Sequence, residues 1–114
     1  MSLFAIAIPV QPDQADRFQR FLDDLNGARK EGFRASRVAM GVRERTFLQH
    51  SPMGDLVVVT LEGDDPAGAF ASFGQGSDPF TAWFKAEVAA VHGVDLSAPP
   101  AYPLPELVVD TGAL

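Results

Sequence analysis

The stretch from Val42 to Glu62 limits the fold more than any other part of the chain. Val42-Arg-Glu-Arg-Thr-Phe-Leu-Gln-His50 reads as strand, Ser51-Pro-Met-Gly54 as a four-residue turn, and Asp55-Leu-Val-Val-Val-Thr-Leu-Glu62 as a second strand. That turn places His50 opposite Asp55, Leu48 opposite Val57, Arg45 opposite Thr60, Glu44 opposite Leu61 and Arg43 opposite Glu62. Directly opposed residues share a face. One face therefore carries mainly Val42, Leu48, Val57, Val59 and Leu61. The other carries Arg43, Arg45, Phe47, Leu56, Val58, Thr60 and Glu62. A slip of one residue would exchange the two faces, so every later inference about a site depends on this register.

The flanking segments supply the other elements. Leu3 to Ile8 is a wholly apolar run ended by Pro9 and suits a buried first strand. After Pro12-Asp13, apolar residues at Ala15, Phe18, Phe21, Leu22 and Leu25 form one stripe of a helix that stops at Asn26-Gly27. The polar segment Ala28 to Arg37 reads as a loop, and strand character begins at Val38. Asp65-Pro66 starts a short helix over Ala67 to Phe73, with Asp65 as N-cap. Ser77-Asp78-Pro79 starts another that runs to His92, with Phe80, Phe84, Val88 and Val91 inward and Gly93 as its stop. Proline-rich Val94 to Pro105 reads as an extended connector, and Glu106-Leu-Val-Val-Asp110 as a last strand.

Composition narrows the class. The chain has 114 residues, 46% of them hydrophobic and 21% charged, as expected for one folded domain over residues 1–114. It contains no cysteine, which excludes disulfides, thiolate metal sites and cysteine nucleophiles. The apolar run at the N-terminus is too short to span a bilayer and lacks the flanks of a signal peptide, so a cytoplasmic location is expected. A net charge of −6 argues against nucleic-acid binding, which needs Lys and Arg to neutralise phosphates. The charge is uneven, however. Six of the nine basic residues fall between Arg29 and Arg45, against only Glu31 and Glu44. Such a block can attract a small anion, although a solvated loop and strand edge explain it equally simply.

The order β-α-β-β-α-β is the ferredoxin-like α+β plan, an antiparallel sheet with helices on one face. Leu56 to Leu61 is apolar on both parities, so both sheet faces should be covered, and the helices can cover only one. A second copy related by a two-fold axis is the simplest cover for the other. Several short strings support the same reading: Phe47-Leu-Gln49, Pro52-Met-Gly-Asp-Leu56, Glu62-Gly-Asp-Asp-Pro66, Asp78-Pro-Phe80 with Trp83-Phe84, and His92-Gly-Val-Asp-Leu96. Through them the region Gly41 to Asp110 resembles an uncharacterised bacterial family of the dimeric α+β barrel superfamily. The resemblance implies a homodimer of ferredoxin-like domains with a cavity at or within the sheets. It implies no single chemistry, because that superfamily includes cofactor-free monooxygenases, haem-dependent enzymes, sugar mutarotases and ligand-sensing domains.

Five residues are candidates for chemistry. Arg43 and Arg45, beside Thr60, could hold a carboxylate, enolate or phosphate by charge-assisted hydrogen bonds. The plainer alternative is a cross-strand Arg43–Glu62 ion pair, of little energetic consequence if exposed. His50, oriented by Asp55, has the composition of a general base, although the pair brackets a turn where exposed structural residues are common. Trp83 is either a ligand platform or part of the apolar stripe. Glu87, one turn beyond it, reads as solvated, and His92 as a cationic cap on the helix C-terminus. No metal or cofactor is expected. His50 and Asp55 give only two ligands, Glu87 and His92 diverge on their helix, and Gly74-Gln-Gly76 lacks a dinucleotide fingerprint. The functional expectation is a homodimeric barrel that binds a small anionic molecule, with proton abstraction or cofactor-free oxygenation of an enolisable substrate as the enzymatic form. A non-catalytic dimerisation or ligand-sensing module is the alternative.

Overall fold

The computed structural model describes residues 1–101 and 103–114. Its elements in chain order are β1 (Ser2–Pro9), α1 (Ala15–Asn26), α2 (Lys30–Met40), β2 (Val42–Gln49), β3 (Leu56–Gly63), α3 (Pro66–Gly74) and α4 (Pro79–His92), with a 3₁₀ turn at Thr111–Ala113. The architecture is α+β. One antiparallel sheet has the order β1-β3-β2, so the first strand pairs with the third and the hairpin supplies the other edge.

The hairpin register is the one its turn dictates, with Arg43 opposite Glu62, Arg45 opposite Thr60 and Leu48 opposite Val57. On the far side of β3, Phe4 pairs with Leu61, Ile6 with Val59 and Ile8 with Val57. These alternate residues turn towards the helices. Val57 and Leu61 are almost fully buried there, and Val57 joins a core with Phe18 and Phe21 of α1, Phe73 of α3, and Phe84, Val88 and Val91 of α4. Phe84 sits at the centre of an aromatic cluster, its ring 5.2 Å from Phe21 and 5.4 Å from Phe73, both edge-on. Each such side chain contributes about 1.5–3 kcal/mol through burial, which is what holds the helices on this face.

Helix boundaries follow local chemistry. The carboxylate of Asp65 accepts the Gly68 amide at 3.1 Å and that of Asp78 accepts the Thr81 amide at 3.1 Å, and proline occupies the first turn of both α3 and α4. An arginine–carboxylate fork, Arg17 to Glu87 at 3.0 and 3.1 Å, ties α1 to α4. Glu87 is thus engaged rather than solvated, and its hydrogen bonding, followed by its negative charge, raises the pKa of Arg17.

Three further expectations require correction. The segment read as a loop from Ala28 to Arg37 is mostly helix, and α2 continues through Val38 to Met40 before strand begins at Val42. Its turns bury Arg37 and half-bury Phe33 and Met40 at helical spacing, and Gly41 ends it in the left-handed conformation at φ 70°. Second, Glu106–Asp110 forms no strand, and Leu107, Val108 and Val109 are exposed. Third, His92 is not a charged cap. Its ring is buried, Nδ1 donates to the Pro9 carbonyl at 2.8 Å, and burial lowers its pKa, favouring the neutral form.

Candidate functional site

Strand alternation puts Arg43, Arg45 and Phe47 of β2 on the face turned away from the helices, with Leu56, Val58, Thr60 and Glu62 of β3 and Leu3, Ala5 and Ala7 of β1. Among the described residues no helix covers this face. Leu3, Phe47 and Leu56 remain 51%, 56% and 37% exposed, which is unusual for an apolar row on a sheet. At its β2 end lie the two arginines. Arg45 reaches diagonally to Glu62 at 3.5 Å, both side chains about 40% exposed, so the carboxylate pairs with Arg45 and not with Arg43 as the register alone suggests. Arg43 makes no ion pair among the described residues. Thr60 lies directly opposite Arg45. The three candidate binding residues of the hairpin are therefore on one surface.

His50 and Trp83 lie elsewhere. His50 stands at the turn, its Nδ1 2.7 Å from Asp55 and its side chain 75% exposed. It is five residues beyond Arg45, a run of about 16 Å along a strand. Within one chain, a base at His50 and an anion held by Arg45 cannot act on the same small molecule. Trp83 is on the opposite side of the sheet. Its ring lies 5.4 Å from Phe21 and 5.7 Å from Phe80, and the Arg29 guanidinium covers it at 4.3 Å. That position makes it part of the helical layer, apart from the strand residues.

The most strongly held charged group was not among the expected residues. Arg37 on α2 is buried against the rings of Phe33, Phe73 and Phe84, at 4.8, 4.6 and 4.8 Å, and pairs with Glu44 at 2.7 Å. Both side chains are about nine-tenths buried, with 10% and 8% exposure. Nη1 of Arg37 also donates to Ser36 Oγ at 2.9 Å, and Thr46 Oγ1 donates to the second Glu44 oxygen at 3.0 Å. A sequence signal existed. Glu44 has the parity of Val42 and Leu48, so it points at the helices, and an inward carboxylate requires a cation.

Two surface depressions accompany these features. A groove of about 700 Å³ runs between α2 and the α3–α4 turn, past Gly32, Ala35, Ser36, Phe73 and Asp78. A smaller one of about 490 Å³ lies at Arg17, Arg20, Asp24 and Glu87. Neither includes Arg43, Arg45, Thr60 or His50. Among the described residues there is no group of three or more His, Asp or Glu able to hold a metal ion, and no helix is long and apolar enough to cross a membrane. Compared with known protein families and with curated proteins, the chain matches none. The geometry itself must therefore support any functional reading.

Proposed function

We propose that the protein acts as a ferredoxin-like homodimer, two sheets facing one another as an α+β barrel, and binds a small organic anion at Arg43, Arg45 and Thr60. The observation that carries this reading is the uncovered sheet face. It presents Leu3, Phe47 and Leu56 to solvent next to one unpaired and one half-engaged guanidinium. Facing a second copy would remove that apolar row from water, at about 25 cal/mol per Å² buried. It would also place the arginines in a medium where their hydrogen bonds to a carboxylate, enolate or phosphate strengthen. The dimeric α+β barrel resemblance and a cytoplasmic setting belong to the same proposal.

In the enzymatic form, Arg43 and Arg45 of one copy stabilise charge developing on an enolisable substrate, and the base for proton abstraction or cofactor-free oxygenation is His50 supplied by the second copy. One observation favours the second reading, a non-catalytic dimerisation or ligand-sensing module: His50 and Arg45 are too far apart to meet over one substrate within a chain. The test is titration of benzoate and of inorganic phosphate into the wild type and into the Arg43→Ala/Arg45→Ala variant. At least tenfold weaker binding in the variant is the expected result. Unchanged affinity with the fold intact would sink the anion site.

A further inference from the structure

The edge of the sheet carries a second inference, which rests on the dimeric reading above. Proteins blunt exposed strand edges with charge, proline or a covering element, because unpaired amides and carbonyls recruit other strands. The β2 edge carries Arg43, Glu44 and Arg45. The β1 edge, Ser2 to Pro9, has no charge at all and only its terminal proline for protection. At the far end of the chain lies a matching segment. Leu107, Val108 and Val109 lie outside any helix or strand and are 60%, 79% and 68% exposed. Among the described residues, Glu106 to Val109 make no backbone hydrogen bond. Among the described residues, an apolar edge and an apolar strand-forming segment are thus both left without strand partners.

The chain leading to that segment is anchored as far as Ser97. Leu96 packs on the core, Gln75 Nε2 donates to the Ser97 carbonyl at 3.0 Å, and Lys85 Nζ donates to Ser97 Oγ at 3.1 Å. A Cβ on Gly74 would collide with the Leu96 carbonyl oxygen, so glycine is what allows the chain to lie so close there. Beyond Ser97, the nine residues to Glu106 can span about 30 Å. That reach includes the chain's own β1, yet among the described residues β1 remains the outer strand of the sheet.

We propose that residues 104–110 are exchanged between protomers, each segment adding as a strand to the β1 edge of the second copy. From Glu106 to Val109, past Pro105 with its missing N–H, the facing amides and carbonyls then find partners, the uncharged edge meets an uncharged Leu-Val-Val run, and a two-fold exchange closes without leaving a free end. The added strand extends the same sheet whose open face holds the proposed dimer contact, so the two surfaces are continuous.

The experiment is an isotope-filtered NOE measurement on wild-type dimers mixed from ¹⁵N-labelled and ¹³C-labelled protomers. Contacts between Leu107–Val109 of one label and Leu3–Ile8 of the other are expected. Contacts confined to one label, meaning a fourth strand within the chain, or no contacts at all would overturn the exchange. Two variants separate it from the face-to-face dimer. Val108→Pro, at an exposed position, should raise the dimer dissociation constant and speed exchange of β1 amides at least tenfold. If Phe47→Glu dissociates the dimer while Val108→Pro changes neither quantity, strand exchange fails and the face contact stands. A wild type that stays monomeric at all concentrations removes both.

Discussion

Removing the Glu44 carboxylate would leave Arg37 packed among three phenyl rings without its counter-charge. Breaking one side of a buried pair is far more costly than replacing both sides with apolar groups of similar volume. Glu44→Ala should therefore lower stability by about 3–5 kcal/mol in urea unfolding, whereas Arg37→Met/Glu44→Leu should remain close to wild type. Equal losses in the two variants would show that the pair contributes by packing alone. His92 gives a prediction in pH. Its folded-state pKa lies below the ordinary 6.5, chiefly because burial disfavours the charged ring. The unfolded chain therefore binds the proton first as pH falls. Stability should be level above about pH 6.5, near the reference imidazole value, and decline below it until the lowered folded pKa is passed. The slope within that window is at most about 1.4 kcal/mol per pH unit. His92→Gln should flatten that slope in pH-dependent thermal melts. At this scale the sequence was legible where alternation decides: Arg43, Arg45 and Thr60 share a surface because their register was fixed by the turn. It was misleading at Glu87 and His92, whose partners, Arg17 and the Pro9 carbonyl, lie far away in the chain.

Among the elements, α2 depends most on a single residue at its end. Gly41 adopts φ 70° and lets the helix turn directly into β2, with its amide bonded to the Arg37 and Val38 carbonyls. A Cβ there would meet nothing within 4 Å, so the cost of Gly41→Ala is purely conformational. We expect about 1–2 kcal/mol of destabilisation, with faster amide exchange concentrated in α2 and the start of β2. A uniform increase across the sheet would instead indicate that the junction opens only with global unfolding. The helix was hidden in the sequence because Arg37 occupies the position between Phe33 and Met40 where the period calls for an apolar residue. Its guanidinium is accepted there only because Glu44 lies on the neighbouring strand. The helices that could be read, α1, α3 and α4, have unbroken apolar stripes or an Asp-Pro start. Strand propensity in Glu106–Asp110 failed for a different reason. A strand requires a partner as well as suitable residues, and the single chain leaves this one unpaired.

For the whole molecule, the consequence of an apolar open face is that stability and association should be coupled. The helices satisfy one side of the sheet, and Val57 and Leu61 are buried there whether or not a second copy is present. The side with Leu3, Phe47 and Leu56 has no such cover among the described residues. If two copies cover it for one another, folded monomers are drawn towards dimer by mass action, and the apparent stability becomes a function of protein concentration. Each tenfold dilution should then cost about 1.4 kcal/mol per dimer, visible as a falling thermal midpoint. Native mass spectrometry on the same samples should show twice the 12.2 kDa chain mass at the concentrated end. Phe47→Glu places a charge in the middle of the row, so it should abolish the concentration dependence while leaving the helical core intact, with near-unchanged far-ultraviolet circular dichroism at low concentration. A wild-type midpoint that does not move over a thousandfold range would mean that the face is wet in solution. The apolar parity of Leu56 to Leu61 would then reflect only the needs of β3 as the central strand, flanked by β1 and β2.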